Sequence, residues 1–360
     1  MGRVGRGQSR TDLLWTAGAF CVLQLALALY LERGPTRLRD DEFAAKLDRL
    51  WSRVAEAPGK PLVVTLGSSR TQMGFDAGSL SRDGSACLAF NLGFDGCGVM
   101  MQRIGLRRLL EAGIRPDVAV VEIVPVQLLS NDGSSIEDCW LRGGRFRTDE
   151  LAALYPYSDA PCRLLGGWLR GRAFPLVEHH AELRAELPLD RQPDGTADGD
   201  DTRAIDPWGW KPVRGPLPAD RVAVATLKTR GEYCRYVRDG QFAASKLAAL
   251  RDLLAECRRE RIRTAVLLMP EGTAFRSLYP ANMDHELTAT LQAMRDETGC
   301  AAVIDARTWV EDDGFIDSHH LIDAGARTFT ERFGREVLPT LLGPREPTCR
   351  AASTAEVRPD

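Results

Sequence analysis

No Cys-x-x-Cys occurs among the nine cysteines, and no Cys/His cluster has the spacing of a zinc site. A structural metal therefore has no signature here, and no metal site is assigned. Charge of one sign is also lacking: 47 Lys and Arg meet 50 Asp and Glu, for a formal net charge of −3. The arginines are interleaved with acids and form no long basic tract, so the electrostatic footprint of a nucleic-acid binder is missing. No internal repeat is visible. Histidine is scarce, five in 360 residues, which leaves few candidates for a base working near neutral pH.

What the chain does have is length enough for one large α/β domain or two small ones. Its first forty residues depart from the average. Met1 to Arg10 carries Arg3, Arg6 and Arg10 and no acid, and Leu13 to Leu31 is then almost wholly apolar, interrupted by Thr16 and Gln24. Nineteen such residues rise roughly 28 Å as a helix, close to the thickness of a hydrocarbon core. An uncleaved signal anchor over 11–31 competes with a secretory signal peptide cut near Ala26-Leu27-Ala28. A buried soluble helix fits less well, because the stretch is apolar all round. The anchor is the reading adopted, with 1–10 as a cytoplasmic tail and the main domain outside the cytoplasm. Arg33, Arg37, Arg39 and Lys46 follow the segment, so the Lys/Arg count alone does not set its orientation. An oxidising compartment would permit a disulfide, Cys139 with Cys162 or Cys234, while Cys87 and Cys257 read equally well as small buried hydrophobes.

Residues 32–60 read as a charged, helical stalk ending at Pro58-Gly59-Lys60-Pro61, and 61–342 as the main domain. Strands are expected at Leu62–Leu66, near Cys87–Asn91, at Val118–Val124, Thr264–Met269 and Ala301–Ile304. The solid apolar run from Val118 is typical of a parallel strand covered on both faces. Helices are expected at Val99–Glu111, Gln241–Arg261, Leu287–Glu297 and Ala324–Leu341, the last showing Phe329, Phe333, Val337 and Leu341 at i+4 steps. Strands alternating with helices imply an α/β domain with a central parallel sheet. Residues 129–240 do not alternate and read as an insertion beyond the third strand, with a flexible loop at Leu187–Ile205. Ligands of open parallel sheets bind outside the carboxyl ends of the strands, so the insertion is placed to cover the site. Residues 343–360 read as a disordered tail.

Two segments could carry chemistry. Gly67-Ser68-Ser69-Arg70 follows the first strand, where glycine allows a sharp turn and a serine hydroxyl would stand at the sheet rim. Taken alone it is equally a serine cap for the next helix. Asp317-Ser318-His319-His320 precedes the last helix, and its three-residue spacing lets Asp317 hold the His320 imidazole as a base for Ser69. A surface histidine pair capping that helix is the plain alternative. His319 is assigned to solvent or to supporting hydrogen bonds; His179, His180 and His285 lack this context. Asn91-Leu92-Gly93-Phe94-Asp95-Gly96 adds glycines at the same sheet edge, a weak signal by itself. Arg70 is a candidate for binding a polar substrate or for an ion pair, and Glu271, after the fourth strand, for lining the site or for ordering its loop.

Together these segments resemble the SGNH (GDSL-like) hydrolase superfamily, over Leu62 to Val126 and Phe242 to Leu341. The resemblance implies a flavodoxin-like three-layer sandwich with Ser69 as nucleophile, Ser68 standing where the family has Asp, and Asp317 and His320 as the last block. It implies an oxyanion N–H from Ser69 and from Gly96, with Gly93 the alternative. The family's Gly-x-Asn-Asp block is absent: Val124-Pro125-Val126-Gln127 stands there, leaving Gln127 or Asn131 to substitute. These departures, with the anchor, look more like the envelope branch that includes alginate O-acetyltransferase-type and teichoic-acid D-alanylation proteins. The function implied is a membrane-anchored serine esterase or O-acyltransferase acting on an acylated envelope glycan or polymer. It needs no metal or organic cofactor, and a membrane acyltransferase is an implied partner. The reading from another class is a non-catalytic scaffold or glycan-binding protein of the envelope, motivated by the missing block.

Overall fold

The computed structural model describes residues 6–82, 84–131, 134–185, 204–239 and 241–343. Nearly all of the loop expected at 187–205, and the tail after Gly343, lie outside the described residues. The chain enters through α1 (Arg6–Arg33) and α2 (Asp41–Glu56) and then forms β1 (Leu62–Gly67). Next come α3 (Ser69–Gly74), β2 (Leu88–Gly93), α4 (Val99–Glu111) and β3 (Val118–Glu122). The mid-chain segment contributes α5 (Ile136–Trp140), α6 (Pro161–Ala173) and α7 (Ala219–Asp239). The chain returns through α8 (Ala244–Arg259), β4 (Arg263–Leu268), α9 (Ala281–Thr298), β5 (Ala302–Asp305) and α10 (Asp323–Glu336).

All five strands are parallel, in the order β2-β1-β3-β4-β5. This is the flavodoxin-type order, and the α/β class expected from the alternating pattern is the one observed. Alternation within each strand divides the core. Leu62, Val64, Leu66, Phe90 and Val121 face α2, α4, α8 and α9, while Val63, Ala89, Val120 and Leu267 face α10. On the second side Phe75, at the end of α3, meets Phe329 and Phe333 edge-on at 6.2 and 5.4 Å. That aromatic contact ties the helix after β1 to the helix that follows Asp317–His320, so two distant sequence segments are held at one sheet edge.

Besides α9, which starts at Ala281 rather than Leu287, the elements differ from expectation in three places that affect packing. α2, within the segment read as a stalk, packs on the domain: Phe43 and Leu50 are buried in the core beside β2 and α4. Asp40 caps α2 and pairs with Arg108 and Arg145, which fixes the segment further. The helix expected from Gln241 begins at Ala244, because Gln241 and Phe242 pair with Leu129 and Ser130 in a small antiparallel sheet. The last helix breaks at Val337, where Pro339 removes a donor, and resumes as Leu338–Leu342. Cys139, Cys162 and Cys234 are not joined by a disulfide, and Cys139 Sγ lies beside the Tyr236 hydroxyl at 3.4 Å, so neither expected pairing forms.

α1 is long and apolar enough to cross a membrane over Thr11–Arg33. Most of it stands clear of the domain, with Leu13, Leu14, Trp15, Leu23 and Leu25 exposed.

Candidate active site

The turn after β1 gives its two serines different work. Ser68 is the N-cap of α3: its backbone is extended and its hydroxyl accepts the Arg70 N–H at 3.2 Å. That leaves Ser69 at the first helical position, partly exposed, with its hydroxyl free for another partner. The cap is therefore Ser68, and the adjacent Ser69 hydroxyl is not used for it. Beneath the turn sits Glu122, the last residue of β3. Its carboxylate accepts the Ser68 N–H and the Thr71 hydroxyl at 2.6 Å each, and the Ser68 hydroxyl at 3.0 Å. Gly67 is required by this packing. A Cβ there would lie 2.1 Å from Thr71 Oγ1 and 2.3 Å from Glu122 Oε2.

The second segment is a tight turn closed by a Phe315–Leu321 bridge just before α10. Ser318 adopts φ +69°, a left-handed conformation that costs on the order of 1 kcal/mol or more for a residue with a Cβ. The strained residue turns Asp317 and His320 to the same side. His320 Nδ1 meets Asp317 Oδ2 at 2.8 Å, and Asp317 Oδ1 accepts the His320 N–H at 2.8 Å and the His319 N–H at 3.2 Å. With Nδ1–H donated to the carboxylate, Nε2 is left as acceptor, and it lies 2.8 Å from Ser69 Oγ. The structure thus brings Ser69, His320 and Asp317 together, 251 residues apart at the widest step.

Burial would raise the Asp317 carboxyl, but hydrogen bonds from His319 and His320 outweigh it and hold the group well below the usual carboxylate range. It is therefore ionised at neutral pH and can steady an imidazolium. His319 is not in solvent. It is buried, stacked on Phe275 with ring centroids 5.1 Å apart and edge-on to Tyr233 at 5.3 Å. Burial first, then the charge of His320, push its imidazole down to about 4 despite the neighbouring Asp317. It serves as a neutral packing partner with Nδ1 3.2 Å from Asp317 Oδ1. Among the described residues, Asp317, His319 and His320 are the close group of possible metal ligands. Their mutual hydrogen bonds already engage both Asp317 oxygens and His320 Nδ1.

The remaining candidates fall into place around this centre. Arg70 does not line a cleft. It is buried and pairs with Glu271 at 3.0 Å, while donating to the carbonyls of Met269 and Pro270 at 3.0 Å each. Glu271 is fully buried and also accepts from the Tyr279 hydroxyl at 2.9 Å, so this pair clamps α3 to the end of β4. Asn91 is buried and structural: its amide donates to the carbonyls of Thr71 and Phe75 at 2.7 and 2.8 Å. Its oxygen accepts the Gly93 N–H at 2.9 Å, which removes Gly93 as an oxyanion donor. Gly96 adopts φ +66°, and a Cβ there would meet the Trp140 ring at 2.2 Å. Gln127 lies in a short 3-10 turn after β3, and Asn131 in the short strand that follows.

The mid-chain segment reaches the site from two sides. Thr229 on α7 approaches Asp317 Oδ2 at 3.5 Å, behind the carboxylate. Residues 208–213 run along the rim as a strap. The Trp208 carbonyl accepts from Asn91, the Lys211 N–H donates to Gln72, and the Val213 carbonyl accepts from Asp323. The Trp210 indole N–H donates to the Met73 carbonyl at 2.6 Å. One strap therefore joins Asn91 to α3 and α10, the helices that follow the serine and the histidine segments.

Sequence reasoning missed Glu122, and it offered an ion pair for Arg70 without its partner, Glu271. A signal for Glu122 existed, since it is the one acid in the apolar run from Val118 to Val124. No family model and no curated protein matches the sequence. Among solved structures, the chain is similar to a protein from Bacteroides fragilis described as an inferred acylhydrolase. Identity is 12% and TM-score 0.38, covering 82% of this chain and 98% of the other. It is similar also to a catalytic mutant of an acetylxylan esterase from Geobacillus stearothermophilus, at 12% identity and TM-score 0.36, covering 76% and 92%. Likenesses at that level carry neither fold nor activity across to this chain.

Proposed function

We propose that the chain is a membrane-anchored serine esterase or O-acyltransferase, acting outside the cytoplasm on an acylated envelope glycan or polymer. One observation carries the reading: Ser69 Oγ lies 2.8 Å from His320 Nε2 while Nδ1 is held by Asp317. In this reading Ser69 Oγ attacks the ester carbonyl as its proton passes to Nε2. The oxyanion forms against the Ser69 N–H, which as the first amide of α3 has no intrahelical partner, and against the Gly96 N–H. The imidazolium, stabilised by Asp317, then protonates the leaving alcohol, giving an acyl-Ser69 intermediate. Water or a sugar hydroxyl, deprotonated by His320, releases the acyl group. A membrane acyltransferase partner would supply the acyl donor if the acceptor is a sugar.

The test is turnover of an aryl acetate by the full-length chain in detergent, with and without an oligosaccharide acceptor. Release of the aryl alcohol that disappears in Ser69→Ala supports the reading, and acetylated oligosaccharide selects transfer. No turnover by the wild type under either condition would favour the non-catalytic scaffold.

A further inference from the structure

We propose that α6 and the turn after it, Pro161 to Glu178, lie within the membrane leaflet that α1 crosses, so that the domain is seated in the bilayer surface rather than tethered above it. This rests on the anchor reading of α1. The domain touches that helix along its second half. Gln24, Ala28 and Leu31 are buried, at spacings of four and three residues, so one face of α1 from Gln24 onward is packed against protein. The Gln24 side-chain oxygen accepts the Leu176 N–H at 3.4 Å. Further along, Glu32 accepts the Thr148 N–H at 2.9 Å and pairs with Arg172 of α6.

Length then decides the level of the hairpin. If the membrane ended where protein contact begins, Thr11 to Leu23 would remain to cross, roughly 20 Å of helix against a hydrocarbon core of about 30 Å. Thr11–Arg33 in full, 23 residues, gives about 34 Å and is sufficient. For α1 to span, residues 24–31 must stay in the bilayer, and they carry the segment bonded to Gln24 with them.

The surface there is suited to lipid. On α6, Cys162, Gly166, Leu169 and Ala173 are exposed at helical spacing and form a stripe without charge. Phe174 (52% exposed), Leu176 (43%) and Val177 (69%) extend it. The side of α1 away from the domain shows Leu25, Leu29 and Tyr30, also exposed. Arg170, beside the stripe and exposed, is placed to reach the headgroup level, as long basic side chains do at an interface. An apolar surface continuous with a membrane span has one fitting occupant, the acyl region of the same bilayer.

The experiment uses the full-length chain with the exposed Cys21, Cys139, Cys162 and Cys234, and Cys349 of the C-terminal tail, replaced by serine. A nitrobenzoxadiazole probe is attached in turn through Leu29→Cys, Val177→Cys and, as a water control, Arg335→Cys. Each protein is reconstituted in phosphatidylethanolamine/phosphatidylglycerol vesicles containing doxyl-labelled lipid. Quenching and a blue shift at 29 and at 177, with neither at 335, is expected. Lipid quenching at 29 with 177 behaving like 335 overturns the inference and leaves the anchor standing. A probe at 29 that behaves like 335 refutes the anchor and this inference with it.

Discussion

Glu122 and Ser68 give the sharpest test of how the nucleophile turn is built. The Glu122 carboxylate takes three hydrogen bonds from Ser68 and Thr71 and faces Arg70 Nε at 3.9 Å. In Glu122→Gln the amide oxygen can keep the two 2.6 Å bonds, but as neutral ones. Each falls by about 1 kcal/mol from the charge-assisted value, and the third bond adds about 1 more, for roughly 3 kcal/mol in all. At about 2–4 °C per kcal/mol, Tm should fall on the order of 5–10 °C, with the fold retained. Ser69 is displaced with the turn, so its labelling by a fluorophosphonate slows as well, by roughly 10²-fold for an ångström of misplacement. Ser68→Asp alone should also destabilise, because it sets a second carboxylate beside Glu122. Combined, the two changes leave one carboxylate in the site again. The double variant should therefore be at least about 1 kcal/mol more stable than the sum of the single effects, and label faster than Glu122→Gln. Thermal unfolding of the four full-length proteins in detergent closes the cycle. Additivity within about 0.5 kcal/mol would refute the shared site.

Other consequences follow from the same geometry. Asp317→Asn should fold yet label at Ser69 on the order of 10³–10⁴-fold more slowly, because the amide favours the wrong imidazole tautomer; an unchanged rate contradicts that role. Gly67→Ala should lose roughly 3 kcal/mol in thermal unfolding, the upper end for overpacking, since its Cβ would lie 2.3 Å from Glu122 Oε2. A variant as stable as wild type would show that the turn relaxes freely. For Asp40, burial raises the carboxyl, but Arg145 and Arg108 outweigh it and hold it at about 2. Because this lies below the unfolded value of about 3.9, the contribution is complete above that pH and is lost as pH falls towards 2, for roughly 2–3 kcal/mol. Tm measured from pH 5 to 2 should therefore fall less steeply in Asp40→Asn than in wild type, and parallel slopes would exclude the linkage.

The strands were legible because a strand covered on both faces is apolar throughout, and the run from Leu62 or Val118 needs no partner to be read. The spacing of Asp317 and His320 was legible for a similar reason: a local turn brings them together, and three residues suffice. What failed was long-range. Glu122 is 54 residues from Ser68 and Arg70 is 201 from Glu271, and only the sheet register places them in contact. Of the two readings open for Arg70, substrate binding and an ion pair, the ion pair is the one found, because Arg70 is buried by what packs over it, as Asn91 is. The charge of α2 suggests a stalk, yet Phe43 and Lys46 within it, and Asp40 at its cap, are all buried. The insertion carries no strong period, so the strap at 208–213 and the seat for α1 had no signature in the sequence.

The central claim is that Ser69, and not Ser68, is an activated nucleophile made so by His320. Incubating the full-length chain with a fluorophosphonate and mapping the adduct by peptide mass spectrometry tests it directly. The account predicts modification at Ser69 alone, abolished in His320→Ala while that variant keeps the wild-type Tm. An unmodified Ser69, or equal modification in His320→Ala, would contradict it.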